Sequence, residues 1–295
     1  MPGLQPLRVP PPNKFLLAWS ALRPHEVSEP FDSRRQLPRS SLFQFLAAPL
    51  LGGSLTACEP KLVVADWECP GTDAGASERP NIPVELPWAT GFERGFCDYQ
   101  RVSGFCYTAG SFEITSSETH TGRAAASFSI QSDDDALHQS RCVRQGIFPT
   151  EAYYSAWYFI PNRAINEANW NLFFYQSGDP NTSDMLDKNW DVSIHDAANG
   201  DLSLFLRAAG TTVGVGETPV IPIAAWFRIE VFFRRAADAT GEVTLFQDGR
   251  QIASVSGVIT DKWNWGQWYV GNLADGLTPS ESTVYVDDVS IRETR

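Results

Sequence analysis

The stretch Trp226-Phe-Arg-Ile-Glu-Val-Phe-Phe-Arg-Arg235 alternates more cleanly than any other part of the chain. Phe227, Ile229, Val231 and Phe233 fall on one side of an extended strand, and Trp226, Arg228, Glu230, Phe232 and Arg234 on the other. The first set predicts a core face. The second mixes fixed charge with aromatic rings, the composition of a half-open sheet face that handles sugar. Just downstream, Gly241-Glu-Val-Thr-Leu-Phe-Gln247 and Arg250-Gln-Ile-Ala-Ser-Val255 flank Asp248-Gly249, a pair that supplies the positive φ angles of a two-residue hairpin turn.

Outward from this hairpin, short β-type runs separated by turn signals recur from Trp88 to the C-terminus. They include Ser111–Thr115, Ala124–Ile130, Ala152–Ile160, Trp170–Tyr175, Trp190–His195, Leu202–Arg207, Trp268–Val270 and Val284–Ile291. Only Pro161 to Ala168 has a helical flavour, and no internal repeat of fixed period is visible. Many strands with almost no helix predict an all-β fold, a sandwich or jelly roll of two antiparallel sheets. Apolar residues make up 43% of the 295, with ten Trp and eighteen Phe, enough to fill the core of one large domain. The net charge of −12 opposes nucleic acid and densely sulfated polymers as partners. No phosphate-cradling Gly loop, nucleophile elbow or His-Glu-x-x-His occurs, so nucleotide-dependent, serine-hydrolase and zincin chemistries have no support.

The N-terminal part reads differently. Prolines interrupt residues 1–41, then Ser33-Arg-Arg-Gln-Leu37 and Arg39 precede an apolar run that closes in Leu55-Thr-Ala-Cys58. A charged segment, a short apolar run and small residues before a Cys describe an export signal, and the run is too short and too Gly-interrupted for a membrane span. It resembles a bacterial lipoprotein signal, which implies cleavage before Cys58 and lipidation of its sulfur. Residues 1–32 are long for such a leader, so a translation start downstream of Met1 is expected. The organisation expected is a signal region over 1–57, a Pro-rich tether over 58–87 and a globular domain over 88–295. In an oxidising compartment the remaining Cys69, Cys97, Cys106 and Cys142 predict two disulfides. Three connectivities are open, and the Cys97 to Cys106 spacing suits a clip across a hairpin or loop.

The order of several motifs resembles the concanavalin A-like jelly roll, and within it the heparin lyase I-like polysaccharide lyases and their laminin G-like relatives. The residues that carry this are Gly91-Phe-Glu93, His120-Thr-Gly-Arg123, Tyr153–Tyr158, Phe173-Phe-Tyr-Gln176, Ile223–Glu230, Asp248-Gly249 and Val284–Ile291. Lyases of this group tend to carry a His closely after the Gln that aligns with Gln176; here Ser177-Gly178 stand instead.

Alternation puts Asp191, Ser193 and His195 on one face of their strand. Beside Arg228 and Glu230 on a concave sheet, that face would join an imidazole, a guanidinium and carboxylates. The resemblance then implies β-elimination on a uronic acid: Arg228 neutralises the sugar carboxylate, His195 or a Tyr (Tyr158, Tyr175) moves the proton, and Gln176 assists. Trp226, Glu230, Asp191, Arg207 and Arg144 are the expected substrate-binding residues. The alternative is that Arg228 and Glu230 merely pair with strand neighbours and His195 sits solvated.

Adjacent Asp287 and Asp288 interrupt the last strand, so at least one is expected to lie against the sandwich interior, where an unpaired charge is costly. In related sugar-binding sandwiches a Phe-Glu near the first strand meets an Asp of the last at a structural calcium, so the resemblance implies Glu93 with Asp287 or Asp288 as ligands. The overall expectation is an exported, monomeric protein, lipid-anchored at the bacterial cell envelope or surface, whose sandwich binds a polysaccharide. An active uronic-acid lyase and an adhesion module that binds protein are the alternatives.

Overall fold

The computed structural model describes residues 63–64, 69, 83–101, 104–132, 138–178, 188–196, 200–208, 211–213, 219–263 and 265–295, all within a compact unit running from Thr56 to Arg295. The expected signal region and Cys58 lie outside the described residues.

Two antiparallel sheets face each other. Sheet A orders β1 (Val63–Val64), β4 (Phe105–Thr108), β7 (His138–Ile147), β16 (Trp265–Thr278), β9 (Ile165–Ser177), β10 (Lys188–Asp196), β11 (Leu202–Ala208) and β12 (Thr211–Thr212). Sheet B orders β15 (Arg250–Val258), β14 (Gly241–Gln247), β13 (Trp226–Arg234), β8 (Glu151–Phe159), β17 (Glu281–Arg292), β6 (Ala125–Gln131) and β5 (Ser111–Thr115), with β2 (Trp88–Thr90) also paired to β17. A short β3 (Glu93–Phe96) and the single helical turn α1 (Cys97–Gln100) complete the described elements. The all-β two-sheet expectation holds.

The quoted strand is β13, at the centre of sheet B. Phe227, Ile229, Val231 and Phe233 are fully buried, as alternation predicts. The Phe233 ring meets Tyr175 at 4.7 Å, Trp190 at 6.3 Å and Phe173 at 6.4 Å, all from sheet A, so one residue per strand face knits the two layers. The β14–β15 hairpin turns at Asp248 (φ 50°) and Gly249 (φ 84°), the doubly positive geometry its sequence demands. Pro161–Ala168 forms no helix among the described residues; β9 begins at Ile165.

The disulfides are Cys69–Cys97 and Cys106–Cys142, so the clip between Cys97 and Cys106 does not occur. Cys106 and Cys142 are direct cross-strand partners on β4 and β7, and that pairing decides the connectivity. The segment expected as a tether touches the sandwich at several points. Val63 and Val64 pair with β4, Cys69 is bonded to α1, Pro83 bridges to Ile147, and Val84 is buried.

The last strand also departs from expectation. A bulge between Asp287 and Ser290, with Asp288 at φ 47°, inserts one extra residue. Val284 and Val286 before it and Val289 and Ile291 after it all reach the core, so neither aspartate has to. Asp287 is buried instead on the outer side of sheet B, beneath the turn at residues 120–122.

Candidate functional site: the outer face of sheet A

Inward residues of sheet A are recognisable by their place in the core: Cys142 on β7, Trp268 and Val270 on β16, Phe173 and Tyr175 on β9, Trp190, Val192 and Ile194 on β10, and Leu204 and Leu206 on β11. Their sequence neighbours therefore face outward. In the cross-strand order of the sheet these are Arg141 and Gln145, then Gln267 and Tyr269, then Gln176 and Phe174, then Asp191 and Ser193, then Arg207 and Phe205. A sheet surface open to solvent is usually lined by exposed polar groups. Here Arg141, Gln145, Gln176, Gln267, Asp191 and Ser193 are all buried.

They form a fixed array. The Gln176 amide donates to Gln267 Oε1 and to the Tyr269 hydroxyl, each at 2.7 Å, and Tyr269 donates in turn to Gln267 Oε1. Gln267 Nε2 donates to Gln145 Oε1 at 2.9 Å. Next to this amide chain, Arg207 Nε donates to Asp191 Oδ1 at 2.9 Å and its Nη2 to Asn169 at 3.0 Å, while Ser193 donates to Asp191 at 2.6 Å. Every one of these groups is held by a neighbour, which preorganises the surface.

Arg141 is the exception. It is 5% exposed, its guanidinium lies 5.7 Å from the Phe174 ring and 5.5 Å from the Tyr269 ring, and among the described residues no side chain hydrogen-bonds to it or forms an ion pair with it. Burial pulls its pKa below the ordinary value, while Tyr107, Tyr269, Asp191 and Tyr158 act in the opposite direction. A guanidinium out of water, flanked by ring faces and with its donors unspent, is poised for an anion.

The expected site residues divide four ways. Gln176, Asp191 and Arg207 belong to this array. His195 shares their face but stands exposed at the end of β10, its ring 6.1 Å from Phe205 and, four residues along a strand, roughly 13 Å from Asp191. Tyr158, Tyr175 and Arg144 point the other way, into the core. Tyr158 donates to Leu172 O at 3.1 Å and Tyr175 to Asp261 at 2.9 Å, and burial pushes both phenols well up, away from any proton-carrying role. Arg144 lies 5.6 Å from the Trp88 ring, and burial lowers it to about 10. Trp226, Arg228 and Glu230 sit on β13, on the outer face of the opposite sheet, with the whole core between them and His195. The single constellation expected from sequence is thus two separate faces.

Arg141, Gln145, Gln267, Tyr269 and Asn169 were not singled out by sequence. The signal was there: residues alternating with Cys142 and Trp268 in Arg141-Cys-Val-Arg-Gln145 and Gln267-Trp-Tyr269. It was masked because the run read as strand was only Trp268–Val270, whereas β16 already begins at Trp265 and carries Gln267 within it.

The calcium ligands expected from sequence gather on the other sheet. Glu93 accepts from the backbone N–H of Arg123 and Ala124. Asp287 Oδ2 accepts from His120 and Thr121 N–H at 2.9 and 3.1 Å, and Asp288 is bonded by the His120 ring at 2.6 Å and by the Thr121 hydroxyl. Burial raises the Asp287 pKa despite these donors. A Cβ placed on Gly91 would stand 3.5 Å from Oδ1 of both Asp287 and Asp288, so two carboxylate oxygens converge beside it. In charge and convergence the turn fits a hard cation. In ligand number it falls short, since among the described residues no three His, Cys, Asp or Glu side chains group closely enough to hold a metal.

No protein-family model matches the chain and no curated protein matches it. Solved structures do resemble it. The alginate lyase Aly36B aligns over 80% of this chain and 98% of its own at 10% identity and TM-score 0.48. A marine alginate lyase from Aplysia kurodai aligns over 69% and 97% at 10% identity and TM-score 0.48. An endo-β-1,4-glucuronan lyase from the fungus Trichoderma reesei aligns over 63% and 87% at 16% identity and TM-score 0.46. The likeness is one of fold.

Proposed function

We propose that the protein binds an acidic polysaccharide, one containing uronic acid, on the outer face of sheet A. The observation that carries this is Arg141, a buried guanidinium that makes no contact ion pair and no side-chain hydrogen bond among the described residues, set among amides. A uronate carboxylate supplies the missing anion. The Gln176 oxygen and the second Gln267 N–H, which the array does not use, meet sugar hydroxyls as acceptor and donor, and Phe174 offers an apolar ring face. The signal-like stretch before Cys58 supports an envelope-anchored protein that meets such polymers outside the cell. The resemblance to sugar-binding sandwiches supports a structural calcium on Glu93 with Asp287 or Asp288, a pair of side chains that backbone carbonyls and water would have to complete.

A second reading, lyase activity, is favoured by one contact. The Tyr269 ring lies 5.5 Å from the Arg141 guanidinium. A uronate neutralised by Arg141 would have its C5 proton made acidic next to a phenol that could carry it to the leaving oxygen.

The test is incubation of the purified full chain with polyglucuronate, alginate, pectate and a neutral glucan, following gel retention and the ultraviolet absorbance of unsaturated ends together. Retention of a uronic polymer, weakened at least tenfold by Arg141→Ala and by Gln176→Ala, is the expected result. Equal retention of the neutral glucan, or variants that bind as the parent does, would overturn it. Unsaturated ends that vanish in Tyr269→Phe would establish the lyase reading.

A further inference from the structure

The outer face of sheet B carries a second, unrelated construction. Across β2, β17 and β8, the residues Ala89, Ser290 and Ser155 stand side by side. Three small side chains in one cross-strand row leave a trough between larger neighbours. On one flank is the row containing Trp157 and its partner Arg228, and on the other is Arg292. These residues line a cavity of about 370 Å³, within the small end of the range of small-molecule sites, roughly 300–1,000 Å³.

The row ends at Glu230, the direct β13 partner of Ser155, and this carboxylate is fully buried. Three guanidiniums surround it: Arg292 and Arg295 by hydrogen bonds of 2.9 and 2.8 Å, and Arg228 at 3.6 Å. One negative charge therefore anchors three positive ones, a local excess of base on a chain whose net charge is −12. Arg295 is further occupied by Gly249 O and the Phe246 ring, 4.1 Å away. Arg228 is not: the long contact to Glu230 is the one ion pair its side chain makes among the described residues, and its donors are unspent. The indole of Trp157 is fixed by His120, stacked on it at 3.8 Å. At the far end of the trough stand the Glu93 and Asp288 carboxylates, acceptors with no guanidinium excess beside them.

We propose that this trough is a second binding site, for one carboxylate-bearing sugar residue: its carboxylate on Arg228 and Arg292, its ring edge against Trp157, and its hydroxyls donating toward Glu93 and Asp288. Base at one end and acid at the other matches a hexuronate and fits a neutral sugar or a simple anion poorly. The site lies on the opposite face of the sandwich from Arg141, so a polymer engaging both must wrap the molecule or two chains must bind. The choice of an acidic sugar follows the function proposed above; the site's geometry does not depend on it.

The experiment is calorimetric titration of the full chain with a glucuronate tetrasaccharide, with cellotetraose as the neutral control, after a circular-dichroism melt shows each variant folded. Two equivalents per chain are expected. Arg228→Gln, whose contact with Glu230 is already long, and Ala89→Phe, at an exposed position that fills the trough, should each weaken one equivalent at least tenfold and spare the other. Arg228→Lys should restore part of the loss, and Arg141→Ala should show the reverse selectivity. A single equivalent, lost in Arg141→Ala and untouched by both trough variants, overturns the second site and leaves the sheet A reading standing. A single equivalent lost only in the trough variants upholds it and removes the sheet A reading. Equal heats with cellotetraose, or none with either saccharide, overturn both.

Discussion

Tyr158 and Tyr175 show how far one residue's chemistry depends on which way it points. In sequence each is a phenol near a promising Gln or Trp; in the fold each is a core ring whose hydroxyl is spent on Leu172 O or Asp261. With Tyr99 and Tyr154 they form a set of four buried phenols, all pushed up by desolvation. The consequence for stability has a definite sign. A tyrosine whose folded pKa lies above its unfolded one contributes fully below about pH 10, and the contribution is lost as the pH rises beyond that, because only the unfolded chain can ionise. Each such residue costs about 1.4 kcal/mol per pH unit there. Spectrophotometric titration should show these four phenols silent past the ordinary range and then released together in one cooperative alkaline transition. Gradual ionisation of all eight tyrosines near pH 10 would mean that the core is more open than the packing indicates.

At the scale of elements, bulges do what a regular strand cannot. In β17 the extra residue at Asp287–Asp288 lets valines on both sides of it reach the core while both acids stay outside, drawn to the turn at residues 120–122. In β16, by contrast, plain alternation suffices: Asn272 is in phase with the core residues Trp268, Val270 and Ala274, and its amide accepts from Trp170 Nε1 at 3.1 Å and donates to Phe128 O and Ser282 O, tying sheet A to sheet B. The acidic turn makes the calcium proposal measurable. Calcium should raise the melting temperature of the parent by several degrees, of the order expected for about 1 kcal/mol or more of added stability, and a chelator should reverse it. Asp288→Asn should blunt the response. An unchanged melting temperature in millimolar calcium would mean that backbone N–H groups alone close this turn.

For the molecule as a whole, the decisive fact is that two polar faces are separated by one apolar core. Arg207 pairs with Asp191 on sheet A, and Arg228 leans on Glu230 on sheet B. Side chains that share no partner and lie across a packed core contribute independently, so a double-mutant cycle of Arg207→Ala with Arg228→Ala, read by denaturant unfolding, should give a coupling within about 0.5 kcal/mol of zero. A larger coupling would mean the faces communicate through the strands. The aromatic contacts of Phe233 with three residues of the other sheet make that sandwich one cooperative body.

The sequence by itself determined the layers. Period-two alternation in Trp226–Arg235, the Asp248-Gly249 turn and the near absence of helical spacing are local properties, and local backbone preference with burial is enough to specify strands and their inward faces. Three members of the site array, Gln176, Asp191 and Arg207, were legible because each alternates with an obvious core residue. What only the tertiary structure decided was which outward faces meet. Alternation assigns a residue to one of two sides of its own strand but carries no information on which sheet that strand joins, so His195 and Arg228 looked like neighbours and are on opposite surfaces. Pairing is fixed instead by long-range packing and by cross-strand register, the same register that set Cys106 against Cys142 and placed Arg141 beside Tyr269.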